Sequence, residues 1–209
     1  RLPNFHLNSK KDINFLAHLY LSDNDRETAI GNFLGDFVKG KDYLNYPENI
    51  AKGIVLHREI DRFTDTHEIA LRSKDKLREK YRHYAGVIVD MFYDHFLAKN
   101  FSDYHELSLQ EFTEKQFVFL MDYIDSMPEK AQKMLPYMIR NKWLLAYAQI
   151  EGLHRALSGM SRRTKFDSKM DESVQDLVTH YATFENEFRE FFPLVKAYVS
   201  DFKKDLIIS

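Results

Sequence analysis

Seven side chains suited to metal or acid–base chemistry fall at helical spacings that turn them inward: His18, Asp36, His57, Asp61, Asp90, Asp94 and His95. Asp90 and Asp94 are four residues apart with His95 on the flank of their face, and His57 and Asp61 are also four apart. Mixed imidazoles and carboxylates suit Mn²⁺, Mg²⁺, Fe²⁺ or Zn²⁺, and the number of carboxylates leans towards the harder ions. Such an ion acidifies water and neutralises charge on phosphoryl oxygens, so the chemistry expected is hydrolysis of a phosphoester. The competing reading is structural, with each residue pairing to an arginine or capping a helix. Arg162 and Arg163, in the basic stretch Ser161 to Lys165, suit bidentate phosphate contact. The sequence has no glycine-rich phosphate loop and no nucleophilic serine motif.

These residues need elements to hold them. Val87 to Ala98 is apolar in nearly every direction on a helix and reads as buried, yet it carries Asp90, Asp94 and His95. A buried carboxylate costs several kcal/mol unless it is compensated, so a positive partner must face this helix, either Arg or Lys or a metal ion. Asp36 falls on a helix capped by Ser22 or Asp23 and ending near Gly40. His57 and Asp61 share a face with Ile50 and Ile54 on a helix with Pro47 in its first turn, running through Ile60; Thr64 and Asp65 follow if it continues. The charged helix Arg72 to Arg82 is a solvated face or a docking surface for an acidic partner. Leu107 to Asp125, Glu129 to Ile139 and Trp143 to Leu157 read as amphipathic helices, the last ending at Gly159. Asp171 to Phe202 is a final helical region broken or kinked near Pro193. Trp143 and Tyr147 read as core, and His154 as a packed helix residue.

Composition bounds the rest. A chain of 209 residues, 44% hydrophobic and 30% charged, buries one sizeable core and is not disordered. A formal charge of −2 gives no nucleic-acid footprint, and no apolar run reaches the length that spans a bilayer. The absence of cysteine excludes disulfides and thiolate sites, and fits a cytoplasmic protein. Residues 1–13 read as an N-terminal extension or upstream remnant without the apolar region of a secretory signal, and residues 14–209 as a single all-α domain of seven to nine helices.

Four stretches taken in order carry a resemblance: Asn14-Phe15-Leu16-Ala17-His18-Leu19, Gly31-Asn32 with Asp36-Phe37, Leu56-His57-Arg58 with Ile60-Asp61 and Thr64-Asp65, and Asp90 with Asp94-His95-Phe96-Leu97. Together with Trp143-Leu144, Tyr147 and Gly159 to Arg163 they resemble the acyl carrier protein phosphodiesterase family over nearly the whole chain. The resemblance implies a multi-helix, distorted relative of the HD-domain phosphohydrolases. It implies an Mn²⁺ enzyme, with Mg²⁺ or Fe²⁺ as alternatives, that releases 4′-phosphopantetheine from a serine of acyl carrier protein. By position it makes Asp36, His57, Asp94 and His95 metal neighbours, and gives His18, Asp61 and Asp90 ligand, supporting or base roles. Asp61 or Asp65 would orient the attacking water, and Arg58, Arg162 and Arg163 would bind substrate. Two departures stand out: Asp94 precedes His95, the reverse of the usual HD order, and Tyr20 stands where some relatives have a second histidine. An HD-like hydrolase of a small nucleotide or other phosphoester, and a non-enzymatic module that binds an acidic partner, remain as alternatives.

Overall fold

The computed structural model describes residues 14–206, so the expected extension at 1–13 lies outside the described residues. All regular structure among them is helical, and eleven α-helices follow one another with short 3₁₀ turns between. This exceeds the seven to nine expected because several continuous patterns are interrupted.

α1 (Phe15–Tyr20) is one short, almost wholly buried turn-and-a-half. α2 (Arg26–Leu34) starts at Asp25, whose carboxylate accepts from the Thr28 backbone N–H at 2.7 Å, rather than at Ser22 or Asp23. It stops at Leu34, short of Gly40, so Asp36 stands on a turn beyond the helix. The carbonyls of Val38 and Gly40, without helical donors, accept instead from the Arg58 guanidinium at 3.0 and 2.7 Å. α3 (Glu48–Thr66) begins just after Pro47 and runs past Ile60, carrying Thr64 and Asp65 with it. α2 and α3 pack backbone to backbone: a Cβ on Gly31 would lie 2.0 Å from the Ile50 carbonyl oxygen, and one on Gly53 2.5 Å from that of Thr28.

α4 (Glu68–Tyr81) leads into α5 (Ala85–Lys99), the buried helix expected from the sequence, which meets α1, α4 and later helices on all sides. α6 (Leu109–Met121) opens with a capping box between Ser108 and Glu111, and α7 (Glu129–Arg140) follows Pro128. The expected Trp143–Leu157 helix is two pieces, α8 (Trp143–Ala146) and α9 (Ile150–Ser161). The chain doubles back so tightly that a Cβ on Gly152 would fall 1.9 Å from the Ala146 carbonyl oxygen. α10 (Ser173–Thr179) and α11 (Tyr181–Asp205) are divided at His180, and α11 continues through Pro193. Pro193 costs α11 a backbone hydrogen bond, but buried Phe188, Phe191, Phe192, Val195 and Val199 anchor the helix on both sides of it. No helix among the described residues is long and apolar enough to cross a membrane.

Candidate metal centre

α1, the end of α2 and the middle of α3 bring two imidazoles face to face. His18 and His57 stack with ring centroids 4.0 Å apart and 20° between planes. Both rings are tied to one residue, Asn32. The Asn32 amide donates to the His18 carbonyl at 2.7 Å and to Ser22 Oγ at 3.2 Å, which leaves its Oδ1 as an acceptor. His18 Nδ1, 2.8 Å from that oxygen, therefore carries hydrogen. His57 Nδ1 is 2.8 Å from the Asn32 backbone carbonyl, which can only accept, so it too carries hydrogen. When neutral, both rings present a lone pair at Nε2, the arrangement in which an outer partner fixes a metal-binding imidazole.

Carboxylates surround those two atoms. Asp61 Oδ1 lies 3.3 Å from His18 Nε2 and its Oδ2 lies 3.7 Å from His57 Nε2; Asp36 Oδ1 is 3.3 Å from His57 Nε2. One ligand atom each from His18, His57 and Asp61 fall within 4.8 Å of one another, so the trio could hold a metal ion. Two further observations fit a cation: His18 Nε2 and Asp36 Oδ2 are buried and make no hydrogen bond with good geometry. Two imidazoles and a carboxylate are a side-chain set that could bind a metal ion.

Burial by itself depresses the basicity of His57, but Asp36, Asp61 and the Asn32 carbonyl outweigh it and raise its pKa to about 9. Without a cation this histidine holds a proton, and its contribution to stability is fully present below about pH 6.5 and lost as pH rises through about 9. Asp94 acts in the same direction. Full burial lifts it to about 7 against the pull of the Ala17 and Leu16 N–H groups, so the folded state keeps a proton that the unfolded chain loses near pH 4. Chelated protein should therefore melt at a lower temperature at pH 9 than at pH 6. Divalent-cation affinity should rise over the same interval as the competing proton leaves His57. A flat calorimetric profile in chelator would contradict both statements.

Gly35 sets the distance between the end of α2 and His57. A Cβ there would stand 2.1 Å from His57 Cγ. Gly35→Ala is expected to push the imidazole aside, cost about 1–3 kcal/mol of stability and weaken cation binding. Unchanged melting and unchanged cation affinity would show that the ring can yield without loss.

The remaining expected site residues lie elsewhere. Asp94 does not reach the cluster: its Oδ2 and Oδ1 accept from the backbone N–H groups of Leu16 and Ala17 at 3.0 and 2.9 Å, at the start of α1. The partner the structure gives it is thus the amino end of a helix rather than an arginine or lysine. His95 turns away, with Nδ1 2.7 Å from the Tyr147 carbonyl and Nε2 2.8 Å from the Tyr181 hydroxyl. Asp65, on the last turn of α3, pairs with the mostly buried Lys74 at 2.9 Å. Asp90 is half-buried on α5 and lines a small cavity with Ala17 and Thr64. Arg58 is held by the two loop carbonyls and over the Tyr43 ring. Arg162 and Arg163 follow the end of α9 on a separate cavity. Tyr20 also faces away from the cluster, donating to the Tyr104 carbonyl and accepting from Lys196.

The expected docking face on α4 is largely neutralised within the chain. Arg72 pairs with Glu190, Lys76 with Glu187, Lys80 with Glu172 and Asp176, and Lys74 with Asp65. These charges bind α3, α11 and the start of α10 rather than facing outward unmatched. Asn32 is the residue whose part the sequence reading missed. It shares the Asp36 motif, but nothing in an amide's spacing announces that it will grip two rings.

The family model for acyl carrier protein phosphodiesterase matches residues 13–195. An acyl carrier protein phosphodiesterase of Photorhabdus laumondii is 33% identical over 193 residues, covering 91% of this chain and 98% of the relative. One from Enterobacter is 34% identical over 183 residues, 87% of this chain and 94% of the relative. One from Yersinia enterocolitica is 30% identical over 190 residues, 90% and 98% of the two chains. No solved structure gives a significant match, so the likeness to HD-domain phosphohydrolases has no structural neighbour behind it. On a match that takes in all four stretches and both elements of the histidine pair, the chain belongs to the acyl carrier protein phosphodiesterase family.

Proposed function

We propose that the chain is a cytoplasmic, divalent-metal-dependent phosphodiesterase. It hydrolyses the bond between 4′-phosphopantetheine and a serine of acyl carrier protein. The family relationship supports the substrate. The observation that carries the chemistry is the pair of imidazoles whose Nδ1 atoms are both committed to Asn32, leaving Nε2 of each towards Asp61.

His18, His57 and Asp61 would hold the cation, with Mn²⁺ the ion we favour for mixed imidazole and carboxylate ligands. A divalent ion at this place supplies positive charge to the phosphoryl oxygens and makes water more acidic. Asp36, 3.3 Å from His57 Nε2, would add negative charge beside the cation. Asp61 is 18% exposed where Asp36 is 4% exposed, so it is the carboxylate of the cluster that water can reach and the one that takes its proton. Water oxygen bonds to phosphorus, the phosphorus–serine oxygen bond breaks, and the serine oxygen leaves with a proton. The products are apo-carrier protein and 4′-phosphopantetheine.

The test is incubation with holo-acyl carrier protein and Mn²⁺, with and without chelator, read by intact mass. Loss of the prosthetic-group mass that chelator prevents is the expected result. No loss with a cation demonstrably bound would favour a smaller phosphoester as substrate. No loss and no cation would favour a binding module.

A further inference from the structure

A cavity of about 620 Å³ opens between α7, α8 and α9 and shares no residue with the histidine cluster. α5 stands between the two, since His95 bonds the Tyr147 carbonyl on one side while Asp94 reaches the α1 backbone on the other. One wall is aromatic, with Tyr137 and Trp143 edge to face at 5.6 Å. Tyr147 also lines it; this tyrosine is 1% exposed, and its hydroxyl, buried in the field of Asp94 and Arg163, has no hydrogen-bond partner. Arg155, Arg162 and Arg163 bring three positive charges, and no Asp or Glu lines the space. Among the described residues the side chains of Arg155 and Arg162 make no hydrogen bond or ion pair, unlike the matched cations of α4. Gly159 is buried at the cavity, yet a Cβ there would meet nothing within 4 Å.

We propose that this cavity is a second ligand site, for an organic phosphate monoester. Such a phosphate is close to a dianion at neutral pH, and guanidinium groups match its oxygens in forked pairs. The aromatic wall takes the organic body, and the volume falls in the range of ordinary small-molecule sites. Two sources share this chemistry. One is 4′-phosphopantetheine, the monoester released in the proposed reaction, and the choice of that probe rests on the proposed function. The other is a nucleoside monophosphate, whose base would lie against the aromatic wall. Binding needs neither the cation nor His57.

The experiment is calorimetric titration of the full chain in chelator with 4′-phosphopantetheine, with AMP and with inorganic phosphate. One organic monoester should bind one to one and at least about tenfold tighter than inorganic phosphate. The double change Arg155→Gln with Arg162→Gln should weaken it about tenfold or more. Gly159→Leu, which fills the space without altering charge, should abolish it. Preference for 4′-phosphopantetheine makes this a product site and preference for AMP a nucleotide site, and either upholds the proposal. Equal affinity for inorganic phosphate, or affinity untouched by the arginine changes at their exposed positions, overturns it. Because no turnover is measured, failure here leaves the phosphodiesterase reading standing. A negative carrier-protein assay likewise leaves this site to be judged on its own titration.

Discussion

Replacing His57 with alanine is expected to lower turnover of holo-acyl carrier protein by about 10³-fold or more and to remove divalent-cation binding. The substitution takes away one of the two aligned Nε2 atoms and the only imidazole in contact with both Asp36 and Asp61. It also leaves those two carboxylates facing each other without the positive charge that the ring carries when protonated. Asp36→Ala approaches the cluster from its other side and should lose turnover too, with less effect on cation stoichiometry because Asp36 lies outside the His18, His57 and Asp61 trio. Circular dichroism should show both variants helical. Stoichiometric cation binding by His57→Ala, with activity within tenfold of the parent, would move the reaction centre off these helices.

Asp94→Ala should be among the most destabilising substitutions in the chain. It strands the buried N–H groups of Leu16 and Ala17, each worth about 1–3 kcal/mol when left unsatisfied. Relief from burying a carboxylate, visible in the raised pKa, offsets part of this. A net loss of about 2–4 kcal/mol follows, or roughly 5–15 °C in melting temperature for a chain of this size. The N–H groups in question begin the helix that carries His18, so cation affinity should fall by about 10–100-fold as well. Asp94→Asn keeps an acceptor and should recover much of both. Melting within 2 °C or so of the parent for the alanine variant would mean that water or a neighbouring group replaces the cap at little cost.

The helical class and the buried α5 were legible because apolar residues surround that segment at every helical angle. His18, Asp36, His57 and Asp61 were legible as inward-facing, and they meet. Less readable was which inward-facing residues meet one another. Asp94 and His95 lie in the same buried helix, but their partners come from residues 78 and 52 positions away, and one is a bare backbone amide with no side-chain signature. The early end of α2 was hidden for a similar reason: its replacement partner, Arg58, lies on the next helix. His154, expected to be packed, is exposed on the rim of the arginine cavity because the helix that holds it starts later and turns differently from the continuous one expected. Helix periodicity shows which way a residue faces but not what it will find there.

α11 reaches back to the very beginning of the described chain. Lys196 donates to Tyr20, Lys203 to the Leu21 carbonyl and to Asp23, and Tyr198 to Glu59 beside the α3 site residues. Those partners are separated by as many as 182 positions in sequence. On a ribosome adding about 5–20 residues per second, the helix carrying His18 would wait on the order of 10–40 s before the segment that holds it in place had been made. Until then the nascent chain carries α1 and α3 without their clamp, their apolar faces open to chaperones. The histidine pair and the Asn32 that grips it are encoded early in the chain, but the α11 contacts that clamp their helices are among the last to form.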